Sequence, residues 1–291
     1  LFYLAKKITC NKQLEKMWKR KIKILPHFIM YPLFVFNRFL NNFFKGGDFH
    51  EIGTNTNQDR DVHNLLEKYH THINFTQEEE DLGKKILKKF SINIDKFVCL
   101  NVRDSAYLDR HKEHTDHDWI YHSFRDGNID LYVLAAEELA KRGYHVFRMG
   151  VKVLKPIKST NSKIIDYANS EMRSDFMDIY LGAKCTFCIS TVAGFDEVPN
   201  IFRKPIAYLG VPIALLETHN KNSLILTKSH ISKKTKKKLT LSEIFFSNTA
   251  TSLHTNEYTK NNVELKENEP EEIRDLAIEM DERLNENWNE T

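Results

Sequence analysis

Residues 97–102 read Phe-Val-Cys-Leu-Asn-Val, and Arg103, Asp104 and Ser105 follow them directly. Further short apolar runs come later in the chain, and stretches with apolar residues at helical spacing separate them. The predicted strands cover 97–102, 144–149, 164–165, 186–190 and 205–209, and the predicted helices cover 129–142, 174–183 and 195–202. Short strands that alternate with amphipathic helices indicate a mostly parallel sheet with helices on both faces. The sequence therefore predicts an α/β fold with a Rossmann-like parallel sheet.

The chain before residue 96 lacks this alternation and is predicted to be mainly helical. Its clearest helix begins after Thr76, because Thr76 and Glu79 have the spacing of a capping box. We expect three parts: a partial N-terminal domain at 1–95, a Rossmann-like domain at 96–268, and a C-terminal helix at 269–291. Since the chain opens at Leu1 and 1–95 hold at most the tail of a full domain, we expect a fragment cut before its true start.

The composition excludes several classes of protein. Of the 291 residues, 41% are hydrophobic and 29% charged, which predicts a buried core and excludes wholesale disorder. The net charge of +3, and the lack of aromatics spaced among the lysines, argue against a nucleic-acid partner. The sequence has no stretch of about 20 apolar residues, which is the length needed to cross a membrane, and no signal peptide is recognisable. Four cysteines are too few for a secreted disulfide scaffold, so we expect a cytoplasmic location.

Polar residues and glycines follow the predicted strands, at the sheet edge where α/β proteins bind ligands. They are Arg103 and Asp104, Arg148 and Gly150, Asp166 and Tyr167, and Ser190, Thr191 and Gly194. Arginine makes bidentate, charge-assisted contacts with phosphate, and a helix that begins near Gly194 offers backbone N–H groups to an anion. These residues predict a diphosphate site. The alternative is that Arg103 and Arg148 pair with nearby acids and that the glycines only form turns. Neither GxGxxG nor GxxxxGK[ST] is present, which argues against a standard dinucleotide fold or a P-loop.

Several short motifs between about residues 76 and 212 resemble a family of bacterial glycosyltransferases encoded with surface-polysaccharide genes. They are VCLNVRDSAY (98–107), FRDGNI (124–129), FRMG (147–150), IDYA (165–168), RSDF (173–176), ISTVAG (189–194) and VPNIFRKP (198–205). The order of elements is also similar to the donor domain of heptosyltransferases and, more distantly, of fucosyltransferases, which share the glycosyltransferase-B architecture. The chain departs from the family pattern at Asp126, where the family prefers asparagine.

The resemblance implies a nucleotide-sugar donor, a surface-polysaccharide or lipid-linked glycan acceptor, and no obligatory metal or cofactor. It also implies that the C-terminal helix packs back on the N-terminal, acceptor-side part. Glycosyl transfer needs a positive cradle for the leaving diphosphate and a base for the acceptor hydroxyl. We expect the cradle from Arg103, Arg148, Ser190, Thr191 and the N–H groups near Gly194, with Arg125 as a further member. Asn128 either contacts the sugar or caps the next helix, and Asp166-Tyr167 are expected at the nucleoside. Asp104 and Asp118 are the two candidates for the base.

Two alternatives from other functional classes remain open. The loop at 109–118 reads DRHKEHTDHD, and histidines three residues apart can share a helix face and bind a divalent metal ion. This loop supports a metal-dependent hydrolase or phosphatase. A non-catalytic nucleotide-sugar-binding protein is the other alternative, because an incomplete first domain would lack part of the cleft.

Basic residues are concentrated in two stretches of the chain. Residues 16–24 are basic and residues 31–44 are aromatic, a pattern that fits peripheral contact with an anionic inner membrane or a helix packed within the first domain. Residues 228–238 contain six lysines and are predicted to form an exposed loop.

Overall fold

The computed structural model describes residues 9–41, 43, 61, 64–92, 96–110, 119–216 and 220–289. Six parallel strands form its central sheet: β1 (Phe97–Asn101), β2 (His145–Arg148), β3 (Ile164–Ile165), β4 (Phe187–Ser190), β5 (Ile206–Val211) and β6 (Leu224–Thr227). The predicted α/β class and parallel sheet are confirmed. The helices that accompany these strands are α1 (Lys12–Lys19), α2 (His27–Asn41), α3 (Leu65–Lys68), α4 (Gln77–Lys89), α5 (Ala106–Arg110), α6 (Val133–Lys141), α7 (Asp175–Lys184) and α8 (Glu197–Ile201).

The strand order in the sheet is β3-β2-β1-β4-β5-β6. This is the order of a doubly wound Rossmann sheet, in which the chain winds outward first in one direction and then in the other. The reversal lies between β1 and β4, where Asn101 pairs with Ser190. In such sheets the connections on the two sides leave a crevice outside the carboxyl ends of the strands at this reversal, and that crevice is the usual ligand site.

Both faces of the sheet are covered, which explains why β1 and β5 are buried along their whole length. On one face, Val98 and Leu100 of β1 pack with Leu139 of α6. On the other face, Phe97 and Cys99 pack with residues of α7 and with Leu87 of α4. Successive residues of a strand point to opposite faces, so an uninterrupted apolar run is what a sheet with two covered faces requires.

Helices α1 and α4 of the N-terminal part pack against α7 and the sheet. Met17 of α1 and Ile73 share a small core with Ile179 of α7 and Val198 of α8. The capping box at Thr76 and Glu79 is present as predicted. Glu79 is nearly buried and accepts hydrogen bonds from Arg20 and Gln13, and these bonds outweigh the opposing effect of burial and hold its pKa well below the ordinary range.

The last helix, α11, covers Pro270–Leu284, after the short elements β7 (Ser229–Ser232), α9 (Leu241–Phe246), α10 (Thr255–Lys260) and β8 (Val263–Lys266). The family resemblance predicts that this helix packs on the N-terminal part. Among the described residues, its contacts are with other elements. Ile273, Ala277 and Met280 instead join α6 and the sheet in one core, and Asp281 accepts a 2.6 Å hydrogen bond from the Tyr144 hydroxyl. An apolar stripe at helical spacing predicts that one side of α11 is buried, but it does not identify the element against which that side packs.

The exposed loop that the sequence predicts at residues 228–238 is present only at 233–238, where every residue is exposed. Strand β7 occupies Ser229–Ser232 and pairs antiparallel with β8. Lys228 precedes this strand and is only 5% exposed. No helix in the described ranges is long and apolar enough to span a membrane.

Gly83 tests the packing of α4 on α7. An added Cβ would lie 2.3 Å from Cζ of Tyr180, a ring that is fully buried. We therefore expect Gly83→Ala to lower the free energy of unfolding by about 1–3 kcal/mol through overpacking, although alanine favours an exposed helix by about 1 kcal/mol over glycine. Urea unfolding followed by circular dichroism measures this change, and Lys85→Ala on the exposed side of α4 is the control. A Gly83→Ala variant more stable than the native chain would contradict this packing.

Candidate functional site

The loops after β1 and β4 meet where the strand order reverses. The Arg103 backbone N–H donates a 2.8 Å hydrogen bond to the Thr191 hydroxyl, and the Asn101 side-chain amide donates to the Ser190 hydroxyl at 3.4 Å. Ser190 and Thr191 are 0% and 1% exposed. Their hydroxyls therefore hold the two loops together, and neither is presented to a ligand as the sequence predicts.

Three cations surround this junction: Arg103, Arg125 and Lys228, which we call the cation cluster. Arg103 follows β1, Arg125 ends the 3₁₀ helix Ile120–Arg125, and Lys228 follows β6. The elements that carry them end at one edge of the sheet, although they are far apart in sequence. The arrangement concentrates positive charge at the crevice where Rossmann sheets bind their ligands.

Asp126 neutralises part of this charge. Arg103 forms an ion pair with its carboxylate, and the Lys228 Nζ donates a 2.6 Å hydrogen bond to its backbone oxygen. Burial lowers the pKa of Lys228, while the charges of Glu267 and Asp126 oppose that shift. Asp126 thus contacts two of the three clustered cations, Arg103 through its carboxylate and Lys228 through its backbone oxygen.

Arg125 is the member of the cluster with unused donor capacity. One Nη donates to the Val192 carbonyl at 3.2 Å, while its buried Nε has no hydrogen-bond partner among the described residues. No described carboxylate lies within ion-pair distance of it. Burial lowers the pKa of Arg125, and the charge of Arg103 lowers it further. A bound anion would relieve both the unsatisfied donor and the repulsion between the two guanidinium groups.

Arg148 and Asp104 form a structural ion pair, which is the alternative that the sequence left open. Arg148 is fully buried, and its Nη2 lies 3.4 Å from the Asp104 carboxylate. The same carboxylate accepts the backbone N–H groups of Ala106 and Leu154 at 3.0 and 2.9 Å. The structure therefore uses Asp104 to hold the loop after β1 and pairs Arg148 with it, while the buried Nε of Arg148 has no hydrogen-bond partner among the described residues. The second predicted base, Asp118, lies outside the described residues.

The remaining predicted residues have local structural contacts. Asn128 caps the next turn, because its side chain accepts the Asp130 N–H at 3.2 Å. Gly150 has φ of +146°, and a Cβ there would lie 2.7 Å from Val153. Tyr167 is fully buried and donates to Asp178 at 2.7 Å, so its side chain is not available to a nucleoside.

Asp166 and Gly194 complete the predicted set. The Asp166 carboxylate accepts a 2.7 Å hydrogen bond from the Asn169 side chain. A Cβ added at Gly194 would meet no atom within 4 Å, so close packing does not require a glycine there. A short 3₁₀ turn, Gly194–Asp196, begins at this residue and leads into the five residues of α8. The helix that was predicted at 195–202, and expected to offer its N-terminus to an anion, is thus two short pieces.

An aromatic rim lies beside the cation cluster and was missed by the sequence analysis. It consists of Trp119, Tyr121, His122 and His254. The ring centroids of Tyr121 and His254 are 5.1 Å apart, and those of Tyr121 and His122 are 4.0 Å apart. Arg103 connects rim and cluster, since its Nη1 lies 3.4 Å from the His122 carbonyl oxygen. In the sequence, the aromatic stretch Trp119-Ile-Tyr-His122 stands one residue before the Phe124-Arg125 motif, and this proximity could have indicated the rim.

Within the rim, His122 is the residue whose pKa is lowered by the charges of the cation cluster. Burial lowers its pKa first, and the charges of Arg125 and Arg103 lower it further. Its imidazole is therefore neutral at neutral pH, and a neutral imidazole can accept a proton.

Among the described residues, no group of three or more histidine, cysteine, aspartate or glutamate side chains is arranged to hold a metal ion. The histidine-rich loop at 111–118 lies outside them, and side-chain contacts of Asp109 and Arg110 are likewise outside the description. Comparison with protein-family models, with curated proteins and with solved structures finds no match for this chain.

Asp196 supports the loop that follows β4, and its burial makes the stability of the protein depend on pH. It is 4% exposed and accepts the Ala193 N–H at 2.9 Å. Burial raises its pKa from 3.8 to about 6, against the opposing effect of the Ser190 hydroxyl and the Ala193 N–H. Between these two pH values the folded chain binds more protons at this site than the unfolded chain, so stability falls as the pH rises through about 6.

We expect Asp196→Asn to remove this pH dependence. Relative to the variant, the native chain should lose about 3 kcal/mol of unfolding free energy as the pH rises from about 4 to 8, since a shift of one pKa unit corresponds to about 1.4 kcal/mol. Urea unfolding of both proteins across this pH range measures the difference, and Asp275→Asn on the exposed side of α11 is the control. A constant difference between the native chain and Asp196→Asn would contradict the assignment.

Proposed function

We propose that this chain binds a nucleotide sugar and transfers its sugar to a surface-polysaccharide or lipid-linked glycan acceptor, as the donor-binding half of a glycosyltransferase of the B type. The observation that carries the proposal is the cation cluster at the reversal point of the sheet. The sequence motifs shared with surface-polysaccharide glycosyltransferases point in the same direction. They include Val102, Arg103, Phe124 and Arg125, which lie in or directly beside the cluster.

The chemistry of sugar transfer explains why such a cluster would be needed. When the bond between the sugar and the diphosphate breaks, negative charge grows on the leaving phosphate oxygens. Fixed guanidinium groups at a half-buried edge stabilise that charge without reorganising water. The buried Arg125 Nε has no hydrogen-bond partner among the described residues, Arg103 pairs with the Asp126 carboxylate, and Lys228 donates to the Asp126 backbone oxygen. An anion held by these side chains needs no metal ion to neutralise it.

The aromatic rim supplies a surface for the rest of the donor. Nucleobases stack on aromatic side chains, and each stacked base contributes about 1–3 kcal/mol. Tyr121 is 38% exposed and His254 is also exposed, so both present ring surface to solvent. We assign the nucleoside to this rim and the diphosphate to the cluster. This assignment replaces the expected contact at Tyr167, whose ring is buried.

The acceptor hydroxyl needs a group that removes its proton, and we assign that role to His122. Its lowered pKa keeps the imidazole neutral, and the two arginines that lower it are those that would face the leaving group. This assignment predicts that transfer continues below pH 6.5, the ordinary pKa of histidine. Asp118 remains the base predicted from the sequence.

We further propose that the protein works in the cytoplasm at the surface of an anionic membrane. Two alternatives make different predictions for a purified chain. A metal-dependent hydrolase would need bound metal for activity, with the histidines of the 109–118 loop as ligands. A non-catalytic binding protein would bind the nucleotide sugar without releasing nucleoside diphosphate in the presence of acceptor.

A thermal-shift screen against UDP, GDP, CMP and ADP, with each nucleotide tested with EDTA and with Mn²⁺, separates the metal-dependent hydrolase from the two nucleotide-binding possibilities. A ligand that binds only the folded chain raises the melting temperature, by an amount that grows with its concentration. We expect one nucleotide to stabilise the chain equally with EDTA and with Mn²⁺. Stabilisation by Mn²⁺ alone, without any nucleotide effect, would favour the hydrolase.

Arg125→Gln tests the site directly. A charge-assisted hydrogen bond contributes about 1.5–3 kcal/mol, so we expect the affinity for the stabilising nucleotide to fall by about 10- to 100-fold. Isothermal titration calorimetry measures the change, and Arg274→Gln is the matched control, because Arg274 lies on α11 and pairs with Asp275. Equal affinities of the two variants would place the diphosphate elsewhere.

A further inference from the structure

Helix α2 exposes an apolar surface that is unusual for a protein in water. Among its described side chains only Met30 is buried, at 7% exposure, and Leu40 is half-buried. The exposed set includes Phe28 (76%), Phe36 (57%) and Phe39 (56%). The others are Ile29, Tyr31, Leu33, Phe34 and Val35. Contiguous apolar surface of this kind marks a site of interaction.

The exposed side chains surround the helix on almost every side. At 100° per residue, Phe28, Val35 and Phe39 lie on one side of α2. Ile29, Leu33 and Phe36 lie roughly 80–140° around the helix from Phe28, and Phe34 lies roughly 120° from it in the other direction. A protein that docks on one face would leave the rest of this surface in water. A helix that is apolar all round fits a medium that surrounds it, such as the acyl chains of a lipid layer.

The length of α2 limits how it can enter a bilayer. Its 15 residues span about 22 Å at 1.5 Å per residue, which is shorter than a hydrocarbon core of about 30 Å. This agrees with the absence of a membrane-spanning helix in the described residues. A helix of this length lies within one leaflet.

The charge around α2 identifies the kind of lipid. Residues 16–47 contain seven lysines and arginines and no aspartate or glutamate. Glu79, on α4, pairs with Lys16 and Arg20, and Glu15, on α1, pairs with Lys19. Lys21 and Lys23, which lead into α2, are exposed and have no ion pair with any described residue. These two lysines are positioned for lipid phosphate at the end of an apolar helix.

We propose that α2 inserts into one leaflet of an anionic bilayer and that Lys21 and Lys23 bind the phosphate groups of its lipids. The apolar circumference supplies the insertion, and the excess of positive charge selects anionic headgroups. The same charge disfavours a second copy as the partner, because it would bring Lys21 and Lys23 of both copies together without an acid that pairs with them among the described residues.

Vesicle flotation tests this inference with the full chain. We expect the chain to float with vesicles of phosphatidylglycerol and phosphatidylcholine and to bind at least tenfold less to phosphatidylcholine alone, since each cation near an anionic surface contributes about fivefold. Phe36→Asp/Phe39→Asp should abolish flotation. Leu241→Asp/Phe246→Asp is the matched control, because these side chains of α9 are 62% and 86% exposed. The control should float like the native chain.

Lys21→Glu/Lys23→Glu provides a second variant that leaves the apolar side chains of α2 unchanged. We expect it to reduce binding to anionic vesicles by at least tenfold, and circular dichroism should show native helix content in every variant. Loss of binding in the α9 control, or equal binding to both kinds of vesicle, would overturn the proposal.

The alternative partners give outcomes that also overturn it. A native chain that does not float, but forms a dimer in light scattering that Phe36→Asp/Phe39→Asp dissociates, would identify a second copy as the partner. A monomer that does not float would show that lipid does not cover α2. None of these results depends on nucleotide binding, so they stand apart from the test of the glycosyltransferase proposal.

Discussion

The hydrogen bond from the Arg103 N–H to the Thr191 hydroxyl joins the chain segments that leave β1 and β4, and the candidate site depends on this junction. At this point the sheet reverses its direction of winding, so the two segments diverge and leave a crevice between them. The contact fixes the backbone from which the Arg103 side chain reaches Asp126. It also places the Val192 carbonyl where Arg125 donates to it. Two buried hydroxyls thus act as structural ties, and the charged side chains around them form the surface available to a ligand.

Strands β1 to β5 and helices α6, α7 and α8 could be predicted because each strand is an apolar run and each helix has apolar residues at helical spacing, whereas α5 was not predicted. Strands β6 and β7 were missed for a physical reason: Leu-Ile-Leu-Thr and Ser-His-Ile-Ser are short and stand next to a lysine-rich stretch that resembles a loop. Lys228 was missed with them. Position after a strand indicated both Arg103 and Arg148, but it did not distinguish the partly exposed Arg103 from the fully buried Arg148, since burial depends on the direction of a side chain and on its neighbours. Arg148 pairs with Asp104 and Arg103 pairs with Asp126, and both pairs join residues that are distant in sequence.

The chain carries two positively charged regions with different physical character. In the cation cluster the charges are largely buried, are offset by the single carboxylate that pairs with Arg103, and lie beside an aromatic rim, which suits a small, multiply charged ligand with a planar ring. Around α2 the charges are exposed and flank a helix that is apolar on nearly all sides, which suits an extended anionic surface. A transferase that takes a water-soluble nucleotide sugar and delivers its sugar to a glycan on a lipid would require both kinds of region.

A crystal structure with bound nucleoside diphosphate is the most direct test of the central claim, that the reversal point of the sheet is an anion site. The account predicts diphosphate oxygens within about 3 Å of the guanidinium groups of Arg103 and Arg125, with the base against Tyr121 and His254. Diphosphate bound at another place on the chain, for example in the groove lined by Lys221, Leu224 and Trp288, would contradict it.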